Sequence, residues 1–168
     1  MTDMHFINGV TCAGTSGRVH DVYNPATGAV IASVPLAGVD EVGSAVMAAK
    51  AAQPAWANTP PAKRAQVMFA FRDLVIKNTD KIAELISMQH GKTSDDAKGE
   101  VARGLEVVEF ACGIPHLLKG DYSAQVAGSV DSYSMRQPLG VVAGITPFNF
   151  PAMVPMWMFP MALVCGNA

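Results

Sequence analysis

Charge is missing from the last part of this chain. Its final charged side chain is Arg136, and the 30 residues from Leu139 to Ala168 carry none. Cysteine is scarce too: Cys12, Cys112 and Cys165 are widely spaced without a C-x-x-C, and no histidine falls at a metal-ligand interval near them. That excludes a disulfide framework and a zinc-finger type of metal site, and it predicts a reduced, intracellular protein with no structural metal. The balance of 12 basic and 14 acidic residues leaves a net charge of −2, too little positive field to hold nucleic acid or an anionic membrane surface. The opening "MTDMHFINGV" has no basic stretch followed by an apolar one and too little arginine for a transit peptide, so a cytoplasmic location is expected.

Two phosphate-binding signatures are absent as well. There is no G-x-G-x-x-G, and "ISMQHGKT" has Ile86 where a phosphate loop needs glycine. The uncharged tail is long enough to span a bilayer, but Pro147, Pro151, Pro155 and Pro160 would break the backbone ladder repeatedly, which lipid does not tolerate.

What is present reads as a hairpin apron followed by helices. Asn8-Gly9 and "NPATG" sit between β-forming runs and predict two hairpins over residues 5–36. From Val39 the period is helical, with a stripe of Val39, Val42, Val46 and Ala49 and with Pro54 near the end. A second helix starts at Pro61 and carries Met68, Phe71 and Val75. A third has Thr79 as N-cap, Ile82, Leu85 and Ile86 facing inward, and Gly91 as its stop. A fourth opens at Ser94 with Val101, Leu105, Val108 and Cys112 on one stripe, and Pro115 ends or kinks it. Residues 119–138 alternate like an exposed hairpin, and "LGVVAGI" has the continuous apolar character of a buried strand.

Three kinds of side chain invite a chemical reading. Asn149 is the one amide in "GITPFNFPAMVPMWMFP", preceding Pro151 as a first helical residue: it is either a turn or cap, or a donor aimed at a developing oxyanion, and spacing does not decide. Arg103 lies opposite the Val101 stripe yet shares its face with Val107 and Phe110; it either pairs with Glu100 or Glu106, or presents a fork to a ligand carboxylate. The three cysteines lie in apolar or turn surroundings without the positive field that a reactive thiolate needs.

At "PLGVVAGITPFNFPAMVPMWMFPMALVCGN" the sequence resembles the aldehyde dehydrogenase superfamily, with its P-x-G-V strand, I-x-P-[FW]-N-[FW]-P and a helix ending in A-x-x-x-G-N. Together with "YNPATGAVIASVPLAG", "PAWANTPPAKRAQVMF" and "HGKTSDDAKGEVARGLEVVEFACG" it is most similar to the CoA-acylating methylmalonate-semialdehyde dehydrogenase branch. The resemblance implies an α/β fold: the N-terminal part of a Rossmann-type NAD domain over residues 1–118, a bridging or oligomerisation hairpin over 119–138, and the first strand and helix of the cofactor sheet over 139–168. It implies NAD as cofactor, coenzyme A as co-substrate, a semialdehyde substrate and a homo-oligomer of two or four subunits. Asn149 matches the oxyanion-stabilising asparagine, Ile145, Thr146 and Phe148 match positions lining the NAD site, and Arg103 matches the position that receives the substrate carboxylate. The nucleophilic cysteine of the family would lie beyond residue 168, so the chain reads as the first third of an enzyme of about 500 residues, inactive alone. The alternative from another class is a non-catalytic assembly or cofactor-holding module.

Overall fold

The structure, a computed structural model, describes residues 4–168; the first three residues of the leader reading lie outside the described region. Two antiparallel hairpins come first. β1 (His5–Ile7) pairs with β2 (Val10–Cys12) through Asn8 and Gly9, both at positive φ (52° and 75°), the twist that suits a two-residue turn. β3 (Val19–Tyr23) pairs with β4 (Val30–Pro35), and in the connection Asn24 Oδ1 accepts from the Ala26 amide at 2.9 Å and the Thr27 amide at 3.2 Å.

Five helices follow: α1 (Val39–Ala57), α2 (Pro61–Lys77), α3 (Thr79–His90), α4 (Ser94–Cys112) and the single turn α5 (Ile114–Leu117). Their limits have local causes. Glu41, at the third position of α1, reaches back to the Gly38 amide at 2.7 Å and also accepts from Thr15, whose side-chain and backbone donors hold its pKa down to about 2. Proline opens α2, where a missing N–H costs nothing. Gly91, at φ 85°, stops α3 in the left-handed conformation. Thr93 caps α4 by accepting from the Asp96 amide at 3.3 Å.

The hairpin β5 (Tyr122–Ala127) and β6 (Val130–Tyr133) is exposed along its whole length. Beyond an extended run, the chain closes with α6 (Met153–Val164).

α6 is the spine of the interior. Met156 belongs to one buried cluster with Val75, Ile86, Val101 and Val108, and Val164 to a second with Met68, Ala111 and Ile114. Each fully buried side chain of this size contributes about 1.5–3 kcal/mol. Phe71 meets Phe159 edge to face, with ring centroids 5.4 Å apart. The close approach of α4 to α6 depends on Gly104, where an added Cβ would lie 3.2 Å from the Met153 Cα and would collide with the Met156 side chain.

The C-terminal end of α6 explains its closing A-x-x-x-G-N. Gly166 sits at φ 91°, its amide bonds to the Leu163 carbonyl at 2.9 Å, and the Asn167 amide reaches the Ala162 carbonyl at 3.1 Å, the paired bonds of a Schellman stop. The buried Asn167 side chain then accepts from the amides of Leu139 (2.7 Å) and Gly140 (3.1 Å) and donates to Ala162 (3.0 Å). Buried Arg64 binds the Val164 and Ala57 carbonyls at 2.8 and 3.1 Å, and the Trp56 indole binds the Leu163 carbonyl at 2.7 Å.

Four details depart from the sequence reading. Asn78, not Thr79, is the N-cap of α3, and the Thr79 hydroxyl turns back to donate to Val75. Leu85 is half exposed although Ile86 is buried, because α4 covers only one side of α3. The stripe Val39, Val42 and Val46 faces outward. "LGVVAGI" is extended but is neither buried nor a regular strand: Leu139 is 89 % and Ile145 93 % exposed. A strand is made by its neighbours, and among the described residues the backbone that pairs with this run is that of Ala168, which donates to Gly140 at 3.0 Å and accepts from Val142 at 2.8 Å. That is the pattern of a parallel bridge.

Gly104→Ala should cost about 1–3 kcal/mol of stability through overpacking, read as a lower urea midpoint. Gly43→Ala, whose Cβ would meet nothing within 4 Å, serves as the comparison. Equal midpoints would remove the close-approach argument.

Candidate functional site

Between the extended run and α6 lies the segment 144–152, and its placement starts from a helix that lacks a local cap. The N-cap of α6 is Ala152, which has no side-chain oxygen. Its role is taken by Glu100 of α4: Oε1 accepts from the amides of Ala152 at 2.8 Å and Met153 at 3.1 Å, two of the donors that a helix start leaves open. Oε2 binds Lys92 Nζ at 2.5 Å, and that ammonium sits 3.9 Å from the centroid of the Phe150 ring. The Glu100 side chain is 1 % exposed and that of Lys92 14 %. Burial alone would raise the carboxyl pKa, but the Lys92 bond and the two amides together outweigh it, and the group stays below the usual range.

Sequence reasoning did not single out Lys92 and met Glu100 only as a possible partner of Arg103. The available signal was Glu100 itself, a charge on the same apolar stripe as Ala97, Val101, Gly104 and Val108, all of which the structure buries. It does not pair with Arg103, as one reading of the spacing allowed. Among the described residues Arg103 forms no ion pair; its guanidinium is exposed and its carbonyl accepts from the Trp157 indole at 3.3 Å.

The remaining candidates separate onto two sides of the segment. Thr146 lines an apolar groove of about 790 Å³ with Val142, Gly144, Met158, Phe159 and Ala168. Phe148 lines a smaller hollow of about 270 Å³ on the other side, with Ile82, Ile86, His90 and Pro151. Ile145 points outward and borders neither. Asn149 stands between Phe148 and Phe150 with its side chain exposed. It does not cap α6, which begins at Met153 rather than at Pro151, and among the described residues no intrachain hydrogen bond uses its carboxamide. Asn149 is therefore exposed and lines neither hollow. Cys112 is buried, which pushes its thiol pKa up, away from reactivity.

A run that begins a parallel bridge with Ala168, followed by an apolar helix that carries the chain back to it, is the arrangement with which a strand–helix–strand unit of a parallel sheet opens. No described helix is long and apolar enough to cross a membrane. The profile of the Aldehyde dehydrogenase family matches residues 12–168, and the chain belongs to that family.

Among curated relatives, it is 56 % identical over 97 % of its length to the malonate-semialdehyde dehydrogenase of Pseudomonas aeruginosa, of which it covers 33 %. It is 51 % identical over 97 % of its length to the acylating mitochondrial methylmalonate-semialdehyde dehydrogenase of Arabidopsis thaliana, covering 27 % of that protein. A crystal structure of a methylmalonate-semialdehyde dehydrogenase from Sinorhizobium meliloti, complexed with NAD, superposes with a TM-score of 0.98 at 54 % identity; the match spans all of this chain and 34 % of that one. The chain thus spans about a third of the length of these relatives.

Because the Glu100 pKa is lowered in the folded state, its contribution is fully present above pH 4.5 and is lost as the pH falls through the lowered value. Below pH 4.5 the exchange protection of the Ala152 and Met153 amides should decline before that of Val75 in α2. Simultaneous loss at all three would contradict a local acid-sensitive cap.

Proposed function

We propose that this chain is the N-terminal portion of an NAD-dependent, CoA-acylating dehydrogenase that oxidises malonate or methylmalonate semialdehyde to acetyl-CoA or propionyl-CoA, with NAD taking the hydride and the substrate carboxylate leaving as carbon dioxide. The observation that carries the substrate class is Arg103: an exposed residue with no carboxylate partner among the described residues, on the face of α4 that reaches Trp157 in the first turns of α6. A free fork is suited to bidentate capture of a small carboxylate, and the relatives whose names include such semialdehydes match along 97 % of the chain.

In this reading Asn149 donates its carboxamide N–H to the aldehyde oxygen as that oxygen gains charge, and Phe148 and Phe150 flank it. Thr146 and Ile145 offer backbone and side-chain contacts to one side of the cofactor, whose nicotinamide accepts hydride when bound. The groove beside Thr146 suits a flat ring: its lining is overwhelmingly apolar, and Gly144 keeps its floor open, since a Cβ there would meet the Met158 methyl at 3.1 Å. The N-terminus of α6 is unsuited to the pyrophosphate, because the Glu100 carboxylate already occupies its amides. The absence of a glycine fingerprint agrees with phosphates held elsewhere. The nucleophilic thiol, the coenzyme A site and the second wall of the cleft are assigned to the portion that the relatives have beyond this third. The exposed β5–β6 hairpin is assigned to subunit pairing in a homo-oligomer.

The test uses a chimera in which residues 12–168 replace the matching third of the Pseudomonas aeruginosa relative. Arg103→Leu should raise KM for malonate semialdehyde ~10–100-fold, the worth of a charged hydrogen bond, while leaving KM for propanal within about threefold. Equal losses on the two aldehydes would remove the carboxylate role. Asn149→Ala should lower kcat about 10²–10³-fold on both aldehydes; an unchanged kcat would remove the oxyanion role.

A further inference from the structure

The segment that bears Asn149 is held almost entirely from one side. Among the described residues no intrachain hydrogen bond involves residues 143–149; on the N-terminal side the last anchored residue is Val142, and on the C-terminal side the anchors begin at Phe150. Those anchors converge on a single pair. Lys92 covers the Phe150 ring, Glu100 takes the Ala152 and Met153 amides, and Lys92 and Glu100 bind each other. Asn149 is thus the residue immediately before the first fixed point.

Stability alone does not account for this arrangement. A serine at position 152 would cap α6 locally without any buried charge. A well-packed apolar pair at positions 92 and 100 would commonly be as stable as a buried ion pair or more so, since desolvating two charges offsets most of their attraction. A local cap, however, would leave the start of α6 free to shift relative to α4. A carboxylate borrowed from α4 fixes that distance, and through Lys92 it also fixes the ring beside the amide.

We propose that Lys92 and Glu100 are positioning residues for catalysis: a two-point clamp that sets where the Asn149 carboxamide lies relative to α4, and hence relative to Arg103 on the same helix. Neither side chain touches substrate in this role. Glu100 has both oxygens committed, and the Lys92 ammonium lies between Glu100 and the Phe150 ring. The inference rests on the reading of Asn149 as the oxyanion donor.

The decisive experiment is a double-mutant cycle in the chimera described above. Lys92→Met and Glu100→Gln should each lower kcat about tenfold or more with KM for the semialdehyde and for NAD within about threefold, and Lys92→Arg should recover most of the loss. In an Asn149→Ala background the same substitutions should change kcat less than about twofold, because there is no longer a carboxamide to misplace. An undiminished effect in that background, or kcat and KM changing together with the melting temperature, would overturn the clamp.

A second measurement covers variants that fail to assemble and does not depend on activity. In the 168-residue chain, Lys92→Met should shift the Asn149 side-chain amide resonances and leave the amides of Val75 and Val108 in place. An Asn149 signal that does not respond would refute the clamp even if the dehydrogenase reading stood. A folded parent chimera without activity would refute the dehydrogenase reading instead.

Discussion

A carboxylate with 1 % of its side chain exposed cannot be left unpaired, and much of this structure follows from how Glu100 is satisfied. The desolvation of that charge is offset by an ammonium from the α3–α4 connection and by two amides at the start of α6. One side chain therefore ties α4 to the connection just before it and to the start of α6 some fifty residues on, and it does so where α6 has no capping residue of its own. The close contact at Gly104, one turn further along α4, extends the same alignment into packing, with Met153 and Met156 seated where a side chain would otherwise stand. Electrostatics fixes the helix along its axis, and shape fixes its distance.

The opposite end of α6 is governed by the same logic with the signs reversed. The helix carries no charge, so its orientation is imposed by polar groups from elsewhere. Arg64 and the Trp56 indole meet the last carbonyls, where the negative end of the helix dipole favours donors and positive charge. Burial lowers the Arg64 pKa, yet the guanidinium remains charged in any ordinary buffer. Between a carboxylate at the first turn and a guanidinium at the last, the apolar middle fills both core clusters. An uninterrupted apolar stretch of this kind would otherwise have no preferred rotation or slide against α4.

Those features that depend on short-range chemistry were legible in the sequence. Asn8-Gly9, Pro61, Gly91 and the Met68–Phe71–Val75 spacing each report a local backbone or periodicity constraint, and each element they mark is present. The family wording of residues 138–167 was legible too, although its reason was not: only the coordinates show that the closing Gly-Asn is a helix stop whose carboxamide reaches back to the extended run. The misses lie where a partner decides. Leu85 and the Val39 stripe are apolar at helical spacing, but they stay largely exposed. Glu100 and Lys92 are eight positions apart and fit no helical pairing rule, since a turn and a helix start intervene. Asn149 stood out as the one amide of an uncharged apolar run, but spacing could not show that it would be exposed here.

The parallel bridge at Ala168 has a consequence for how the sheet is aligned. Antiparallel strands take their alignment from the turn that joins them, whereas parallel strands, separated by a crossover, have no such gauge. Here the amides of Leu139 and Gly140 are already bound to Asn167 when the next residue meets Gly140 and Val142. A slip of one residue would strand those donors and turn every following side chain to the wrong face. Any strand continuing from Ala168 would inherit its offset from this carboxamide, which itself belongs to no strand.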